Sequence, residues 1–580
     1  MTPPSPPGWR SFLTGAARSP FAWACGLTAA VASGIGLTLS RDGAVPWSAP
    51  WFYLVIVLLS LPFALLAALA RRLVERPRRR PLAVWRNRPR AFFFDWAAIW
   101  LCWVPVWLAG WPGFWCYDAT AAYRSVRAGA ITTALPPLHT WLSTGLQALV
   151  AEWTGSNNYG IAAFIMAQSL VVAAVFAHTL RRLRAWGAPR LVRWGGLVYF
   201  ALFPTIALFS VNSGRNTLFS TALLALAVCL IDALRQPGAK PARWWLIGLL
   251  ALVAIALRRD AVYVFVLFTP LAVWAYRPAR KALAICFVSA TLAGLLLDPL
   301  VYKAILGLAE GNPVATYSVP LQQLARAYNR PGAMTAAQKA VLEEFVTPQA
   351  LAIYRPQLAD PVIVGTDVRR IEADTKRFFA LWAQVGAQSP GIYLDAYAAA
   401  TIQGWAPGAV IDAYASSGDQ TSLNPSSGTS YFCFTAEEPA TVSPKGPAFI
   451  RNAYEAFSKR SRAAFEAPVI GWLWSPGTYL WLFGFAAALA AAWARRGRPS
   501  AFLPVALLAL ASCAPIFLGP AILVRYFLQL FYCAPLVAAF FIDPRVYAPS
   551  APSAPRAPRA PKAASADTAA PSPELPGRPG

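Results

Sequence analysis

The chain has 580 residues, of which 57% are hydrophobic and 13% are charged, and its formal net charge is +26. This apolar content excludes an ordinary soluble multidomain protein and indicates a polytopic membrane protein. The charge does not indicate a nucleic-acid-binding protein, because residues 300–470 hold 14 basic and 14 acidic residues and most of the remaining basic residues lie in short loops between apolar runs.

Apolar runs follow one another along the chain, most of them close to the roughly 20 residues that a helix needs to cross a bilayer. Trp and Tyr are frequent at their ends, as expected at a membrane interface. The first run has no clear small-residue cleavage site directly after it, which favours a retained span over a signal peptide. The predicted spans are 21–40, 51–70, 92–109, 159–180, 194–211, 217–234, 244–257, 261–276, 281–297, 471–494, 501–518 and 521–542.

Short basic loops predict which ends of these spans face the cytoplasm. Loop 71–90 holds nine arginines and one glutamate, and segments 181–193 and 495–498 are also basic. The positive-inside rule places all three in the cytoplasm. Both chain ends then lie on that side: segment 1–20, and a Pro-, Ala- and Ser-rich tail at 546–580 that is predicted to be disordered.

The predicted fold is therefore mainly α, a transmembrane helix bundle of about 12 spans with one inserted domain. Residues 21–299 and 471–545 form its transmembrane regions. Residues 300–470, between the ninth and tenth spans, form a mostly helical domain facing outward. Amphipathic patterns at 321–328 and 336–345 predict two of its helices. We expect a multi-pass protein of the inner (plasma) membrane with its functional site on the periplasmic or extracellular side.

The loop at 110–158, after the third span, carries the first candidate residues for chemistry. The Pro112-Gly113 pair predicts a turn just before Asp118, and His139 follows later in the same loop. Asp118 either stabilises the turn through its own backbone or acts as a general base or metal ligand. His139 is either a structural hydrogen-bonding residue or a substrate contact.

Several arginines are predicted on the outer side, against the charge rule. An unpaired charge at a span end costs a few kcal/mol. Snorkelling and pairing with Asp260 or Asp298 are one explanation, but a shared anion site explains the set better, because a guanidinium fork suits phosphate oxygens. Two acids cannot neutralise three arginines, so we expect Arg258, Arg259 and Arg525 to converge on a phosphate. The outer arginines are Arg124, Arg127, Arg215, Arg258, Arg259 and Arg525.

Cysteine and motif usage narrow the function further. Cys116 and Cys433 fall in predicted outer loops and would be able to form a disulfide in an oxidising compartment. With two histidines, no CxxC pair and a single loop carboxylate, no metal site and no cofactor are predicted, although a divalent ion is not excluded by chemistry. No Gly-rich phosphate loop is present, and the cytoplasmic loops are short and basic. An ATP-driven pump or a nucleotide-sugar enzyme is therefore disfavoured.

Short motifs in this order resemble the GT-C class of integral-membrane glycosyltransferases, and most closely a poorly characterised bacterial branch of it. They are WPGFWCYD at 111–118, PPLHT at 136–140, RNTLF at 215–219, RRD at 258–260, YSVPLQQ at 317–323 and RY at 525–526. The third reads Arg-Asn where the class would have Lys-Asp.

The resemblance implies transfer of a sugar from a polyprenyl-phosphate donor to a glycan, lipid or protein acceptor, with membrane lipids around the protein and no nucleic-acid partner. It implies that Asp118 deprotonates or orients the acceptor hydroxyl. The donor phosphate would bind Arg258, Arg259, Arg525 and Arg215, with the isoprenoid tail between spans. Substrate contacts would come from His139, Tyr117, Arg124, Gln323, Tyr397 and Trp405.

Two other functions remain open at the level of sequence. A transporter or flippase for an anionic lipid-linked substrate fits twelve spans, but it predicts charges near the bilayer midplane and an internal repeat. The sequence has neither feature. A structural assembly protein explains the outer arginines least well.

Overall fold

Long apolar helices make up most of the chain. The computed structural model describes residues 9–76, 89–236, 240–311, 313–409, 446–453 and 470–549, together with residues 456, 460 and 467. Across these ranges the chain is mainly helical and contains isolated β-bridges but no named strand. It has the helices of a multi-pass membrane protein. Eight are long and apolar enough to cross a bilayer: Pro20–Asp42, Pro50–Glu75, Arg90–Ala109, Asn157–Ala185, Arg215–Arg235, Arg277–Ile305, Pro476–Arg495 and Val524–Ile542.

The other four predicted spans are bent or short. Arg190–Leu202 and Pro204–Ser210 form a pair bent by 56°, with the proline at the start of the second helix. Pro241–Leu257, Ala261–Ala275 and Phe502–Leu518 are apolar but reach only 10–17 residues. At 1.5 Å per residue such helices are shorter than a hydrocarbon core of about 30 Å. Twelve crossings therefore stay a prediction.

The helix ends collect at two ends of the bundle. At one, which we call the arginine-rich end (71–76, 181–190, 231–243, 276–280, 495–501 and 543–548), Arg496 pairs with Glu75 and Arg182 with Asp232. At the other, the domain end (43–49, 110–156, 211–215, 257–261, 298–311 and 519–525), Arg525 pairs with Asp118. The described connections fall at these two ends in alternation along the chain.

The segment between the ninth and tenth predicted spans has its own apolar core. Its described α-helices include Ser318–Tyr328, Ala336–Glu343, Pro348–Ala352, Asp360–Val364, Val368–Ala373, Thr375–Gln388 and Pro390–Trp405. Their buried side chains include Leu321, Leu342 and Phe378. The first two cover the segments with amphipathic patterns, and Thr335 caps the second through a capping box with Gln338.

A buried ion pair inside this domain, called the outer domain after its predicted side, also contacts the connection between the first two spans. Arg326 and Asp395 approach to 3.5 Å, with side chains 4% and 9% exposed. Asp395 also accepts hydrogen bonds from the Val45 backbone N–H and the Trp47 indole N–H, at 3.2 and 2.8 Å. Residues Val45 and Trp47 belong to the connection between the first two spans. This connection therefore holds helix Pro390–Trp405 against the bundle.

One predicted boundary differs from the structure, and several predicted segments lie outside the described residues. The tail was predicted to begin at residue 546, but Pro544–Tyr547 is a short helix and both Val546 and Tyr547 are fully buried. The Tyr547 ring packs 5.2 Å from that of Phe502, which holds this segment in the core. Residues 1–8, the whole of 77–88 and the tail from 550 lie outside the described residues, as does Cys433 with its predicted disulfide.

Candidate functional site

The two outer loops that carry the candidate motifs are joined by backbone hydrogen bonds. The Phe114 N–H donates to the Val211 carbonyl at 3.2 Å, and the Ser213 N–H donates to the Phe114 carbonyl at 3.0 Å. The Cys116 N–H donates to the Ser213 hydroxyl at 2.8 Å. Helices Tyr117–Arg127 and Arg215–Arg235 begin directly after these loops. Asp118 and Arg215, far apart in sequence, are thereby brought together.

Glycine is required at the turn before Asp118. Gly113 has φ +141°, and an added Cβ would lie 2.7 Å from the Cγ1 atom of Ile165. Any larger residue would be strained in its backbone and would collide with helix Asn157–Ala185. The Trp107 indole N–H donates to the Pro112 carbonyl at 3.0 Å, which ties the same turn to the preceding helix. The loop is thus seated tightly on the bundle.

Asp118 forms an ion pair at the centre of the site. Its Oδ2 lies 3.7 Å from the Nη2 atom of Arg525, with side chains 23% and 13% exposed. This distance is too long for a hydrogen bond, and the buried Oδ2 has no hydrogen-bond partner among the described residues. Asp118 lies in the first turn of its helix, where the helix dipole favours a negative charge. The carboxylate is therefore held in place, and its Oδ2 atom can still accept a hydrogen bond from a ligand.

The surroundings of Asp118 keep its carboxyl ionised. Burial by itself raises the pKa of Asp118, but the positive charges of Arg525 and Arg215 outweigh burial, so the net pKa lies below its usual value. A protonated His139 would lower it further, and this contribution is present only in acid. At neutral pH the group is a carboxylate, able to accept a hydrogen bond or a proton.

His139 lies beside this pair as a neutral imidazole. It is 6% exposed, and its ring meets the edge of Phe164 at 6.1 Å between centroids. Burial and the nearby charge of Arg215 lower the pKa of His139 to about 4, against the opposing influence of Asp118. Its Nε2 atom is buried without a hydrogen-bond partner among the described residues. A buried polar atom without a partner costs free energy, so a ligand group would gain by binding there.

Arg215 carries a positive charge in an unfavourable position. It is the first residue of helix Arg215–Arg235, where the helix dipole disfavours a cation. Within the described residues it forms no ion pair, although it interacts electrostatically with Asp118 and His139. The next residue, Asn216, is 2% exposed, and neither polar atom of its side chain has a described partner. Two arginines against one carboxylate leave a net charge of +1, which an anion would neutralise.

Arg258 and Arg525 are brought together by an aromatic ring that sequence reasoning gave no role. The Tyr526 ring centroid lies 5.4 Å from the Cζ of Arg258 and 5.2 Å from the Cζ of Arg525. The Phe219 ring supports Arg258 from another side at 5.2 Å. Cation–π contacts of this kind hold two like charges near each other. The sequence signal for Tyr526 was its place directly after Arg525 in a late outer turn.

The expected convergence of three unneutralised arginines is wrong in two respects. Arg259 pairs instead with Asp298 at 2.7 Å and donates to the Thr133 carbonyl, with a side chain 54% exposed. The count of acids was also incomplete. Arg258 forms a bidentate salt bridge with Asp260 at 2.7 and 2.8 Å, and Arg525 forms an ion pair with Asp118. Each arginine therefore has its own carboxylate, and the uncompensated charge belongs to Arg215.

Two further candidates lie on the helix that carries Asp118. Arg124 lies in its last turn and is exposed. Tyr117 is its first residue, but the side chain of Tyr117 is outside the part of the chain that the structure describes.

The three candidates in the outer domain have structural contacts. Gln323 accepts a hydrogen bond from the Trp382 indole at 2.8 Å, which explains its position inside the domain. Tyr397 is partly exposed. The Trp405 indole donates to the Thr401 hydroxyl at 3.0 Å. None of the three is in described contact with Asp118, so the structure does not assemble them into one site with it.

The end of helix Pro390–Trp405 nevertheless reaches the turn that carries Arg525. A Cβ added to Gly404 would lie 2.7 Å from the Phe517 ring and 2.9 Å from the Phe527 ring. This close approach requires glycine and places the end of the outer-domain helix two residues from Arg525. The outer domain therefore contributes to the wall around the ionic cluster through its last helix. Among the described residues, no group of three His, Cys, Asp or Glu side chains is arranged to hold a metal ion.

Fold and site together define a multi-pass helical membrane protein with an ionic cluster at one end of its bundle. The model of the DUF6020 family, a family of unknown function, matches residues 130–550, and the chain belongs to this family. His139, Arg215, Arg258 and Arg525 lie within the matched residues, whereas Asp118 precedes them. No curated protein and no solved structure matches the chain.

Proposed function

We propose that this protein is a membrane glycosyltransferase that moves a sugar from a polyprenyl-phosphate donor to an acceptor hydroxyl. The observation that supports it best is the meeting of Asp118 with Arg525 and Arg215 at the domain end of the bundle. Glycosyl transfer with a phosphate leaving group needs an acceptor-side base and cationic groups for the departing anion. One carboxylate and two guanidinium groups supply both.

The roles follow from the charges. The acceptor hydroxyl attacks the anomeric carbon while Asp118 orients it and takes its proton. The bond from the anomeric carbon to the phosphate oxygen breaks through an oxocarbenium-like state, and the lipid phosphate leaves with the bonding electrons. Its added negative charge is stabilised by the arginines. His139 and Asn216 offer buried hydrogen-bonding groups for sugar hydroxyls.

The donor phosphate is assigned to Arg215 and Arg525, with Arg258 held close by through the Tyr526 ring. Arg215 is favoured because its charge is not neutralised by a described carboxylate. Arg259 is left out of this set, because it is paired with Asp298 on an exposed surface. The isoprenoid tail would follow the apolar surfaces between spans, and the acceptor would approach beneath helix Pro390–Trp405.

By the positive-inside rule, the domain end faces the outside of the plasma membrane, since the opposite end carries the basic loops. The acceptor is then a glycan, lipid or protein of the cell envelope. A flippase for an anionic lipid-linked substrate remains the second candidate. It has less support, because a cluster confined to one end of the bundle gives no path for a charge across the bilayer.

The direct test replaces the proposed base. Purified protein in lipid nanodiscs would receive a panel of polyprenyl-phosphate sugars labelled in the sugar, and transfer to a cell-envelope extract would be measured. Asp118→Asn should lower the rate by about 10²–10⁴-fold, because general-base assistance is worth that much. Glu152→Gln, an exposed acid in the same outer loop, serves as the matched control and should transfer normally. Near-normal transfer by Asp118→Asn would contradict the proposed role of Asp118 as the general base.

A further inference from the structure

A cavity lies at the opposite end of the molecule from the ionic cluster, where three spans end together. It has a volume of about 530 Å³ and lies between the ends of helices Pro50–Glu75, Pro476–Arg495 and Val524–Ile542. Four arginines line it: Arg76, Arg496, Arg498 and Arg545. Its volume is within the range of ligand sites, roughly 300–1,000 Å³. The ionic cluster at the domain end does not include any of these residues.

The charges in this cavity are not balanced. Arg496 pairs with Glu75 at 3.1 Å, and Arg545 pairs with Asp543 at 2.8 Å. The side chains of Arg76 and Arg498 form no ion pair or hydrogen bond with any described residue, and Arg498 is bonded only through its backbone N–H, which donates to the Trp493 carbonyl at 3.1 Å. Four lining arginines face two carboxylates, and one of these, Glu75, is shared with Arg71, so the net charge of the lining is at least +2. The cavity therefore offers two free guanidinium forks to an anion.

The remaining wall of the cavity is apolar. Val74 is buried, the Trp493 indole donates to Glu75 at 3.3 Å, and the Trp493 ring packs 5.5 Å from that of Phe540. Pro499, Pro544 and Ala548 add further apolar surface. A tryptophan among arginines at the ends of spans is typical of the membrane–water interface. A soluble anion would use only the arginines, whereas a phospholipid would also use the apolar wall.

We propose that this cavity binds the headgroup of an anionic phospholipid. The phosphate would lie between Arg76 and Arg498, and the glycerol end of the acyl chains would lie against Val74 and Trp493. Basic pockets between transmembrane helices on the cytoplasmic side are suited to such headgroups. Two unpaired charges favour a headgroup with two phosphates, such as that of cardiolipin, over one with a single phosphate. The proposal does not depend on the proposed function, because the two sites lie at opposite ends.

The test is a lipid-binding titration on the full-length protein by native mass spectrometry in detergent. Cardiolipin, phosphatidylglycerol and phosphatidylcholine would be titrated separately against wild type and Arg76→Gln/Arg498→Gln. The double variant should weaken the tightest cardiolipin site about 30-fold, because each arginine near a membrane surface contributes about a factor of five. Arg277→Gln/Lys281→Gln is the matched control, since both residues are exposed at the same end but away from the cavity. It should leave that site unchanged.

Three results would overturn the proposal. Equal weakening by the control would mean that the whole basic end attracts lipid without a site. Equal affinity for phosphatidylcholine and cardiolipin would mean that the charge of the headgroup does not determine binding. Complete displacement of cardiolipin by inorganic phosphate would assign the cavity to a soluble anion. Should the double variant not purify as a folded protein, Arg498→Gln alone is decisive, and about fivefold weakening is expected.

Discussion

Arg215 differs from the other outer arginines because its surroundings disfavour it. It lies at a helix N-terminus and lacks a described carboxylate, whereas Arg258, Arg259 and Arg525 are each paired. Placing a cation at the positive end of a helix dipole costs about 0.3–1 kcal/mol. A ligand anion would repay this cost. Such a residue is expected where binding has been favoured over stability.

This cost predicts that one substitution at Arg215 stabilises the fold and at the same time weakens donor binding. Arg215→Gln should raise the free energy of unfolding by up to about 1 kcal/mol, because the dipole penalty is relieved while Asp118, which Arg215 also attracts, keeps Arg525 as its partner. The same change should raise the KM for the labelled donor. Arg215→Lys should also weaken donor use, since an ammonium group lacks the planar fork that holds phosphate oxygens.

Thermal unfolding in nanodiscs and donor KM measure the two effects. Arg259→Gln is the matched control, because Arg259 is exposed and paired outside the cluster. A stabilised Arg215→Gln with an unchanged donor KM would contradict the phosphate assignment. A destabilised variant would contradict the assignment of the dipole cost.

His139 gives a pH-dependent stability. Its pKa is about 4 in the folded protein and about 6.5 when unfolded, so the unfolded chain binds more protons between these values. The folded state therefore loses stability as the pH falls through this window, by about 2 kcal/mol between pH 7 and pH 5. The lowered pKa of Asp118 acts only at lower pH, below its usual range.

The test compares wild type with His139→Gln in thermal unfolding at pH 7 and pH 5. The loss on acidification should be about 2 kcal/mol larger in wild type. Comparing the two proteins cancels the titration of the remaining carboxylates. An identical loss in both would mean that His139 is not buried as a neutral imidazole.

Among the elements, helix Pro390–Trp405 links the outer domain to the site. Asp395 near its start holds Arg326 and the connection between the first two spans, and Gly404 at its end packs on Phe517 and Phe527 beside Arg525. Asp395→Ala would leave Arg326 as a buried charge without a carboxylate. Removing one partner of a buried pair costs about 3–5 kcal/mol. We expect easier proteolysis of the outer domain together with slower transfer.

Glu344→Ala serves as the comparison for Asp395→Ala. It breaks an exposed pair with Arg377 on the same domain, and exposed pairs contribute about 0–1 kcal/mol. Its proteolysis and transfer should match those of wild type. Equal effects of the two variants would mean that the buried pair does not fix the domain to the bundle.

The helices of the bundle were largely predictable, whereas the pairing of charges was not. Hydropathy identifies a helix such as Arg215–Arg235 because its apolar character depends on neighbouring residues alone. It could not reveal that Asp118 pairs with Arg525, because the two residues lie in loops far apart in the chain and meet only when the helices pack together. Pairing with Asp260 or Asp298 was the less favoured explanation of the outer arginines, yet Arg258 pairs with Asp260 and Arg259 with Asp298. The third acid, Asp118, was missed as a partner because it is far from Arg525 in the sequence.

The sequence identified the candidate residues on the two joined loops. The candidates in the outer domain, in contrast, have no described contact with Asp118. Asp118, His139 and Arg215 each interrupt an outer loop with a polar group of specific chemistry, which is a local signal. The signal for Tyr526 was weaker, only its place after Arg525, since its role comes from contacts with two guanidinium groups that the sequence does not show to be close together. Aromatic residues such as Trp405 were chosen for their affinity for sugars, but packing accounts for them.

On the scale of the whole molecule, the helix ends divide into two groups that alternate along the chain. We therefore expect a reporter that is active only in the cytoplasm to function when fused after residue 85, 187 or 555. It should be silent when inserted near residue 335, in the outer domain. The physical reason is the arginine excess at one end. An active reporter near 335 would reverse the orientation of the protein and of its proposed site.

The release of polyprenyl phosphate is the measurement that tests glycosyl transfer most directly. Wild-type protein in nanodiscs, supplied with labelled donor and envelope extract, should release lipid phosphate in step with sugar transfer. Asp118→Asn should release almost none, and Glu152→Gln should match wild type. Movement of intact donor across a vesicle membrane with no phosphate released, and no effect of Asp118→Asn, would contradict the enzyme and favour a flippase.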